Sequence, residues 1–252
     1  MSDQPRVAVV TGASRGIGRA CANALAAAGL DLYLVADGTR EELEAACAEC
    51  QTAGSARARL GLYDLAKPES AECIARAALE GLGRIDVLVN NAGIRIRHPF
   101  GEFSAAEFDA LIAVNLRAAF LLSQAVLPAM RAAGGGRIIH MASQLGLVAD
   151  PGSALYGLAK AGLIHLTRSM AFELGPDGIL VNAVSPGPIE TEFYRERMKR
   201  EPDLRGRRLA YLPAGRLGTP EEIAEVVKFL ATTDATFMTG GNVVVDGGYI
   251  TH

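Results

Sequence analysis

The side chains best suited to chemistry in this chain are a tyrosine and a lysine four residues apart. Tyr156 and Lys160 fall within the helical pattern of residues 154–174, so a helix would present both on one face. A nearby ammonium group favours phenolate, which would move a tyrosine pKa of about 10 toward neutrality and make it an acid or base. Ser143 supplies a hydroxyl that can hold a substrate oxygen. Because such a pair also arises by chance, its meaning depends on the rest of the chain.

A glycine-spaced turn near the N-terminus is the second chemical feature. The apolar run of residues 7–10 leads into Thr11-Gly-Ala-Ser-Arg-Gly-Ile-Gly18, and helix-forming residues follow at once. Gly12, Gly16 and Gly18 would let the backbone approach a pyrophosphate, while the helix N–H groups and dipole supply positive potential. Any tight strand-to-helix turn uses glycine, so the motif predicts nucleotide binding only in a matching context.

The elements that must position these residues alternate between strand and helix. Apolar runs predict strands at residues 7–10, 32–35, 56–60, 87–90, 137–141, 180–184 and 243–245. Runs that are apolar throughout are typical of parallel strands with helices on both faces. We therefore predict one α/β domain over residues 1–252, with a Rossmann-type doubly wound parallel sheet. We interpret residues 188–212, which include the arginine-rich stretch 195–208, as a substrate lid, although a solvated surface is the simpler explanation of the charges in that stretch.

Composition and charge argue against several functions. A net charge of -3 and a pI near 5.9 give no basic footprint for nucleic acid, and no basic amphipathic segment predicts membrane binding. No signal-peptide pattern is present, and polar residues interrupt the long apolar segment 105–130, so we expect a cytoplasmic protein without a membrane span. Cys47 and Cys50 form a Cys-x-x-Cys pair, but they lie in a helical stretch without a second pair, so we predict neither disulfide nor metal.

Together, these motifs resemble the short-chain dehydrogenase/reductase family over essentially the whole chain. The matching segments are Thr11 to Gly18, Asn90-Asn-Ala-Gly93, Asn115 in Val-Asn-Leu, Ser143, Tyr156 with Lys160, and Ser185-Pro-Gly-Pro-Ile-Glu-Thr191. The resemblance implies hydride transfer between a nicotinamide cofactor and a secondary alcohol or ketone, with no metal. It assigns Tyr156 as general acid/base, Ser143 as the residue that orients the substrate oxygen, and Lys160 as a ligand of the nicotinamide ribose.

In similar enzymes the asparagine that matches Asn115 holds a water in a proton relay, whereas a solvated helical position is the structural alternative. The resemblance also implies which residues bind the cofactor. The glycine turn supplies Gly12, Ser14, Arg15, Gly16, Ile17 and Gly18; Asp64 and Leu65 match an adenine-contacting pair; Asn91 and Ala92 lie beside the adenosine ribose; Pro186, Gly187, Ile189 and Thr191 bind the carboxamide. Asn90 is expected to be structural. The last strand, within residues 239–248, commonly supports a tetramer in the family, so we expect a homotetramer.

Two residues give conflicting signals about NAD(H) and NADP(H). Asp37 follows the second strand, where a carboxylate can bond the ribose hydroxyls of NAD and repel a 2′-phosphate. It stands one place beyond the position usual in the family, which is Ala36, and it could instead cap the next helix. Arg15 is a feature of NADP enzymes. On balance the sequence favours NAD(H).

The substrate is less well defined. Arg95, Arg97 and His98 follow the Asn-Ala-Gly motif and could recognise a carboxylate or phosphate, or could simply be solvated. His140, within the fifth strand, is interpreted as an interior histidine.

The sequence is compatible with three functions. One is a dehydrogenase of a small cyclic, sugar-like or hydroxy-acid substrate. A 3-oxoacyl-carrier-protein reductase is the alternative enzyme, because Pro213-Ala-Gly-Arg-Leu-Gly218 looks like that branch, but Phe172 stands where a basic residue often docks the acidic carrier. A non-catalytic nicotinamide-binding regulator would not need Ser143, Tyr156 and Lys160 together.

Overall fold

The described part of the chain contains a single seven-stranded parallel sheet, as the alternating pattern predicts. The computed structural model describes residues 5–55, 57–201 and 203–251. The strands are β1 (Val7–Thr11), β2 (Asp31–Ala36), β3 (Ala58–Leu62), β4 (Val87–Asn90), β5 (Gly136–Met141), β6 (Ile179–Pro186) and β7 (Asn242–Val245). Their spatial order is β3-β2-β1-β4-β5-β6-β7, and all pairs are parallel. The Rossmann-type doubly wound fold is confirmed.

Helices cover both faces of this sheet. They are α1 (Gly16–Ala27), α2 (Arg40–Ala53), α3 (Ser70–Leu82), α4 (Ala105–Ile112), α5 (Ala118–Ala132), α6 (Ala154–Leu174), α7 (Glu192–Arg200), α8 (Leu204–Leu209) and α9 (Pro220–Thr232). One core packs α1, α2 and α9 on the sheet through residues such as Leu25, Leu34 and Val227. The other packs α3 and α5 through residues such as Ile74 and Val126. Because both faces are buried, β1 and β2 have no polar-apolar alternation.

The third strand begins later than the sequence indicates, at Ala58; residue 56 lies outside the described residues. The carboxylate of Asp31 accepts hydrogen bonds from the backbone N–H of Arg57 at 2.8 Å and from its Nε at 2.7 Å, which anchors the chain just before the strand. The ladder then runs through Gly61, which interrupts the apolar pattern. A Cβ at Gly61 would lie 2.7 Å from the hydroxyl of Tyr33 and closer still to the ring of Tyr63, so a larger residue there would have to displace both side chains.

One long helical stretch is apolar over much of its length, although the sequence predicts no membrane span. Residues Ala105–Ala132, which join α4, a π-helical segment (Ala113–Arg117) and α5, are long and apolar enough by length and composition, and 44% of the apolar window is buried inside the protein. Leu122, Val126 and Met130 pack in the core shared with α3. The stretch is therefore apolar because it covers the sheet.

The order of strands creates a crevice for a ligand. Between β1 and β4 the chain changes the direction in which successive strands are added, and in open parallel sheets ligands bind outside the carboxyl ends of strands at such a point. The glycine turn follows β1, and Asn91 and Ala92 follow β4. The fold thus brings two of the predicted cofactor segments to the same edge.

Candidate active site

The glycine turn has the geometry of a phosphate cradle. Gly12 and Gly16 have φ angles of 65° and 56°, which L side chains rarely adopt. A Cβ at Gly18 would collide with the carbonyl oxygen of Gly12 and with the amide of Asn91. Helix α1 starts at this turn without a side-chain cap and without an acidic residue in its first turn. Its first N–H groups and its dipole are therefore available to an anion. The residues of this turn fit the pyrophosphate of a dinucleotide.

Thr11, which the sequence reasoning missed, joins this turn to the end of β4. Its hydroxyl accepts hydrogen bonds from the backbone N–H groups of Asn91 and Ala92, both at 3.0 Å. The side-chain amide of Asn91 in turn donates to the carbonyl oxygens of Thr11 at 2.9 Å and Gly12 at 3.2 Å. The side chain of Asn91 thus fixes the backbone at the start of the glycine turn. A hydroxyl residue at the end of a strand, next to a glycine turn, was the available signal.

Ser143, Tyr156 and Lys160 meet at the carboxyl end of β5, as their order in the sequence predicts. Ser143 caps a short 3-10 helix, Gln144–Gly146, by accepting a hydrogen bond from the N–H of Leu145 at 3.1 Å, and it also hydrogen-bonds to the phenol of Tyr156. Tyr156 and Lys160 lie one turn apart on α6, with Nζ of Lys160 5.6 Å from the centre of the tyrosine ring. The Lys160 ammonium donates to the carbonyl oxygen of Met141 at 2.7 Å.

The electrostatics of this group differ from the expectation that Lys160 draws the tyrosine pKa toward neutrality. Burial raises the pKa of Tyr156 above its usual value of 10, while the guanidinium of Arg95 and the hydrogen bond from Ser143 act in the opposite direction. Lys160 is only 3% exposed, and burial lowers its own pKa to about 8. Spacing alone does not reveal this, because desolvation, which opposes the charged form of both groups, arises from the packing of other segments.

Asn115 is buried in the π-helical segment, so the alternative of a solvated helical position is wrong. Its Oδ1 accepts from the N–H of Ile94 at 2.8 Å, and its Nδ2 donates to the carbonyl oxygen of Ile94 at 2.9 Å. The π-helical register is a form often found at functional sites. The side chain of Asn115 therefore fixes the loop that follows Asn-Ala-Gly, including the neighbouring Arg95.

Only one of the three basic residues after Asn-Ala-Gly reaches the site. The guanidinium carbon of Arg95 lies 5.1 Å from the centre of the Tyr156 ring, and Arg95 lines the same cavity. Arg97 donates to the carboxylate of Asp150 at 3.2 Å and to the carbonyl oxygen of Pro151 at 2.7 Å. His98 bonds to Glu107 at 2.8 Å. Arg97 and His98 thus hold the loop in place through these contacts and do not reach the cavity.

A cavity of about 490 Å³ joins the cofactor side and the catalytic side. Ten predicted residues line it: Arg15, Ile17, Asn91, Ser143, Tyr156, Lys160, Pro186, Gly187, Ile189 and Thr191. Gly187 has no room for a side chain, because a Cβ would lie 2.5 Å from Cα of Asp246. The lining also includes residues that the sequence reasoning missed, namely Gly93, Ile94, Met141, Ala142, Gln144, Leu145, Pro188 and Tyr194. Met141 and Ala142 could have been found, since they end a parallel strand.

The adenosine end is formed by loops outside this cavity. Asp37 is exposed directly after β2 and does not cap α2, because Thr39 does so by accepting from the N–H of Glu42. Among the described residues, neither Asp37 nor Arg15 forms an ion pair. Ala36 is buried in the core. After β3, the carboxylate of Asp64 accepts from the N–H of Ala66 at 2.9 Å, and Leu65 packs on the core.

His140 and Asn90 are interior residues, as the sequence reasoning predicts. His140 is fully buried, with Nδ1 2.9 Å from the hydroxyl of Thr167. Its Nε2 lies 3.4 Å from the hydroxyl of Ser123, which accepts from Asn90 at 3.1 Å. Burial, and then the charge of Lys160, lower the pKa of His140 to about 4. The imidazole is therefore neutral at physiological pH.

The cysteines have no catalytic environment. Cys47 and Cys50 are buried on α2, and burial raises their thiol pKa values to about 11 and about 12. No cluster of metal-ligating side chains occurs in the described residues. The Cys-x-x-Cys pair lies on helix α2, as the sequence indicates.

The uncapped glycine turn at the sheet's switch point and the serine, tyrosine and lysine around the adjoining cavity define a class of protein, a Rossmann-type dinucleotide-dependent oxidoreductase. A family model described as Enoyl-(Acyl carrier protein) reductase matches residues 12–250. The chain belongs to the short-chain dehydrogenase/reductase family.

Relatives with different substrates align along nearly the whole chain. It is 40% identical over 248 residues to the 3-oxoacyl-[acyl-carrier-protein] reductase of Vibrio cholerae, with 98% of each chain covered. It is 39% identical to the 2-(R)-hydroxypropyl-CoM dehydrogenase of Xanthobacter autotrophicus, covering 97% of this chain and 98% of that protein. A solved structure assigned as a 2-deoxy-d-gluconate 3-dehydrogenase from Agrobacterium tumefaciens, with bound NADP, has a TM-score of 0.89 at 35% identity and covers 100% of this chain and 98% of that one. The chain is therefore a nicotinamide-dependent oxidoreductase of CH–OH and keto groups.

Proposed function

We propose that this chain interconverts a small secondary alcohol and its ketone through Ser143, Tyr156, Lys160 and Asn115. The observation that carries the proposal is that the Ser143 hydroxyl, the Tyr156 phenol and the buried Lys160 ammonium line one cavity together with the 186–191 loop. This arrangement supports a mechanism in which the phenol is the proton donor and the serine hydroxyl is a second donor to the carbonyl oxygen. The residues assigned to the cofactor by resemblance belong to the same proposal.

Each residue has a distinct role in this mechanism. When bound, the nicotinamide cofactor supplies or accepts the hydride. In the reductive direction, Tyr156 donates its phenolic proton to the carbonyl oxygen, while Ser143 donates a hydrogen bond to the same oxygen. The Arg95 guanidinium and the Ser143 hydroxyl favour the resulting phenolate, and Lys160 would hold the nicotinamide ribose. The proton is restored from solvent through a relay in which Asn115 takes part. Oxidation of the alcohol uses the same groups in reverse.

A 3-oxoacyl-carrier-protein reductase is the second candidate, because the relative from Vibrio cholerae has that name. Docking of an acidic carrier requires available cations. Arg131 is already paired with Asp177, with 2.7 Å between Nε and Oδ2, and Phe172 presents an apolar side chain that is 89% exposed. These two observations favour a small, diffusible substrate.

Relative rates distinguish the two candidates. We expect kcat/KM for small free ketones to exceed that for a 3-oxoacyl-carrier protein by about tenfold or more, because charge complementarity to the carrier is missing. Initial rates with both nicotinamide cofactors, followed by nicotinamide absorbance, measure this. Faster turnover of the carrier-bound substrate would make the second candidate the function of this chain.

For the cofactor, we propose a preference for NAD(H) that depends on Asp37. Ala36 is buried, so Asp37 is the first side chain after β2 that could reach the adenosine ribose. Since Thr39 caps α2, Asp37 is not needed for the helix. Arg15 is the opposing influence, and the Agrobacterium relative contains NADP. The proposal therefore depends on Asp37 and not on resemblance.

Asp37→Ala is expected to weaken NADH binding and strengthen NADPH binding, changing the ratio of the two Kd values by about tenfold. The substitution removes both a hydrogen-bond acceptor for the ribose and the repulsion of a 2′-phosphate. Titrations that follow nicotinamide fluorescence at fixed ionic strength measure the ratio. Glu41→Ala, which removes an exposed acid from the first turn of α2, is the matched control. A wild-type protein that binds NADPH more tightly, with no change in Asp37→Ala, would contradict the preference.

We also propose that the chain is a cytoplasmic homotetramer formed by a single catalytic domain, with residues 188–212 acting as a lid. Support for assembly comes from large apolar side chains exposed on α5 and α6, namely Phe120, Leu158 and Phe172. Support for the lid comes from Tyr194 on α7, which lines the active-site cavity. A monomeric mass in light scattering would contradict the assembly.

A further inference from the structure

Arg95 lies at the catalytic end of the cavity in a fixed position. Its side chain is 20% exposed, its Nη2 donates to the hydroxyl of Ser153 at 3.2 Å, and the carboxylate of Asp150 lies 3.8 Å away. The preceding residue, Ile94, is held on both backbone atoms by Asn115. The Arg95 guanidinium thus lies over the ring of Tyr156, whose hydroxyl is the proposed proton donor.

The two arginines of this loop contact the same carboxylate but point to different places. Nη2 of Arg95 lies 3.8 Å from Oδ2 of Asp150, and Nη1 of Arg97 lies 3.2 Å from the same atom. His98 and Glu107 form a separate pair. Because Arg95 lines the cavity and Arg97 does not, Arg95 is the residue of this loop that presents a positive charge to a bound molecule.

Gln144 provides an independent observation in the same cavity. Gln144 is only 4% exposed, and its Oε1 has no hydrogen-bond partner among the described residues. Gln144 follows Ser143 directly and lines the cavity that also contains Tyr156. A buried amide oxygen needs a donor, and a cavity-lining residue can receive one from a ligand.

We propose that Arg95 and Gln144 form a substrate subsite for a small hydroxy-carboxylate. The subsite binds the carboxylate and, where the substrate has one, a second hydroxyl beside the reacting one. Arg95 donates charge-assisted hydrogen bonds to the carboxylate, and Gln144 Oε1 accepts from the hydroxyl. The reacting oxygen lies between Ser143 and Tyr156. Since Arg95 lies against Tyr156, the carboxylate and the reacting carbon of the substrate are expected to be only a few bonds apart. This inference rests on the proposed function, because it places the substrate relative to Tyr156.

A matched pair of alcohols tests Arg95. Wild-type protein is expected to oxidise 3-hydroxybutanoate with a higher kcat/KM than methyl 3-hydroxybutanoate. Arg95→Gln should lower this acid-to-ester ratio by about 10- to 100-fold, and Arg95→Lys should restore part of it, because only the acid gains from the cation. Arg97→Gln removes the same charge from the same loop outside the cavity, so it should leave the ratio unchanged.

The possible outcomes separate this subsite from the proposed function. If Arg95→Gln lowers the rates for acid and ester equally, Arg95 acts only through Tyr156 and the subsite is overturned, while the oxidoreductase activity stands. If neither alcohol reacts but a neutral cyclic alcohol does, calorimetric binding of butanoate decides: a Kd about tenfold weaker in Arg95→Gln supports the subsite, and equal Kd values overturn it. If no secondary alcohol or ketone reacts with either cofactor, the proposed function fails, and the same butanoate measurement still judges the subsite.

A second pair of alcohols tests Gln144. Wild-type protein should prefer 2,3-dihydroxybutanoate to 3-hydroxybutanoate, and Gln144→Leu should lower that preference about five- to tenfold by removing the acceptor. The leucine replaces a buried oxygen that has no partner, so the variant is expected to fold, which thermal unfolding checks. An unchanged preference would remove Gln144 from the subsite.

Discussion

Tyr156→Phe is expected to lower kcat about 1000-fold while leaving the Kd for the nicotinamide cofactor within about twofold. The substitution removes the proton donor but keeps the aromatic ring against Arg95, and positioned acid–base groups contribute on the order of 10²–10⁴ in rate. Steady-state rates and fluorescence titration of the cofactor measure the two quantities. A kcat comparable to that of wild type would exclude Tyr156 as the acid/base.

The pH profile makes this prediction more specific. Alcohol oxidation needs the phenolate, and burial raises the Tyr156 pKa, so the wild-type oxidation rate should increase toward alkaline pH. Tyr156→Phe should lose that dependence. Tyr33→Phe is the matched control, because Tyr33 is another buried tyrosine whose hydroxyl bonds to Tyr63, away from the cavity. It should keep both the rate and the profile.

Lys160→Met is expected to lower kcat by about 100-fold or more and, at the same time, to stabilise the fold. Burial lowers the lysine pKa from 10.5 to about 8, so the unfolded chain binds the proton more tightly between these values. Below pH 8 the buried charge therefore destabilises the native state, by about 3 kcal/mol according to linkage. Loss of the hydrogen bond to Met141 offsets part of the gain, leaving about 1 kcal/mol, or roughly 3 °C in Tm.

Calorimetry and activity assays on the same samples test whether the variant is both more stable and less active than wild type. In wild type, the contribution of Lys160 to the free energy of unfolding rises as pH increases from 8 to 10.5. The variant should lack that rise. Lys67→Met, which changes an exposed lysine after β3, should alter neither quantity. If Lys160→Met unfolds several degrees lower than wild type but retains its kcat, Lys160 is a structural residue.

Much of the architecture was predictable because its signals are local. Buried parallel strands have continuous apolar runs, and a helix of residues Ala154–Leu174 follows from periodicity over a long segment. β3 was the exception. Its start is anchored by the carboxylate of Asp31, which is distant in sequence. The side chains of Tyr33 and Tyr63 occupy the space beside Gly61, within the strand.

The site could be predicted where residue type alone limits the chemistry. Ten predicted residues line one cavity, because glycine turns and strand ends in a doubly wound sheet share one edge. The charges were harder to predict. Neither the raised pKa of Tyr156 nor the lowered pKa of Lys160 follows from their spacing, since both result from burial by distant segments.

The sequence by itself determined the doubly wound sheet, the glycine turn, and the identities of Ser143, Tyr156 and Lys160, since these depend on local pattern and residue chemistry. The tertiary structure alone decided that Arg95, and not Arg97 or His98, enters the cavity, that Gln144 holds an unpaired oxygen there, and that Asn115 is fixed on Ile94. These outcomes depend on side-chain direction and desolvation, which arise only when segments distant in sequence pack together.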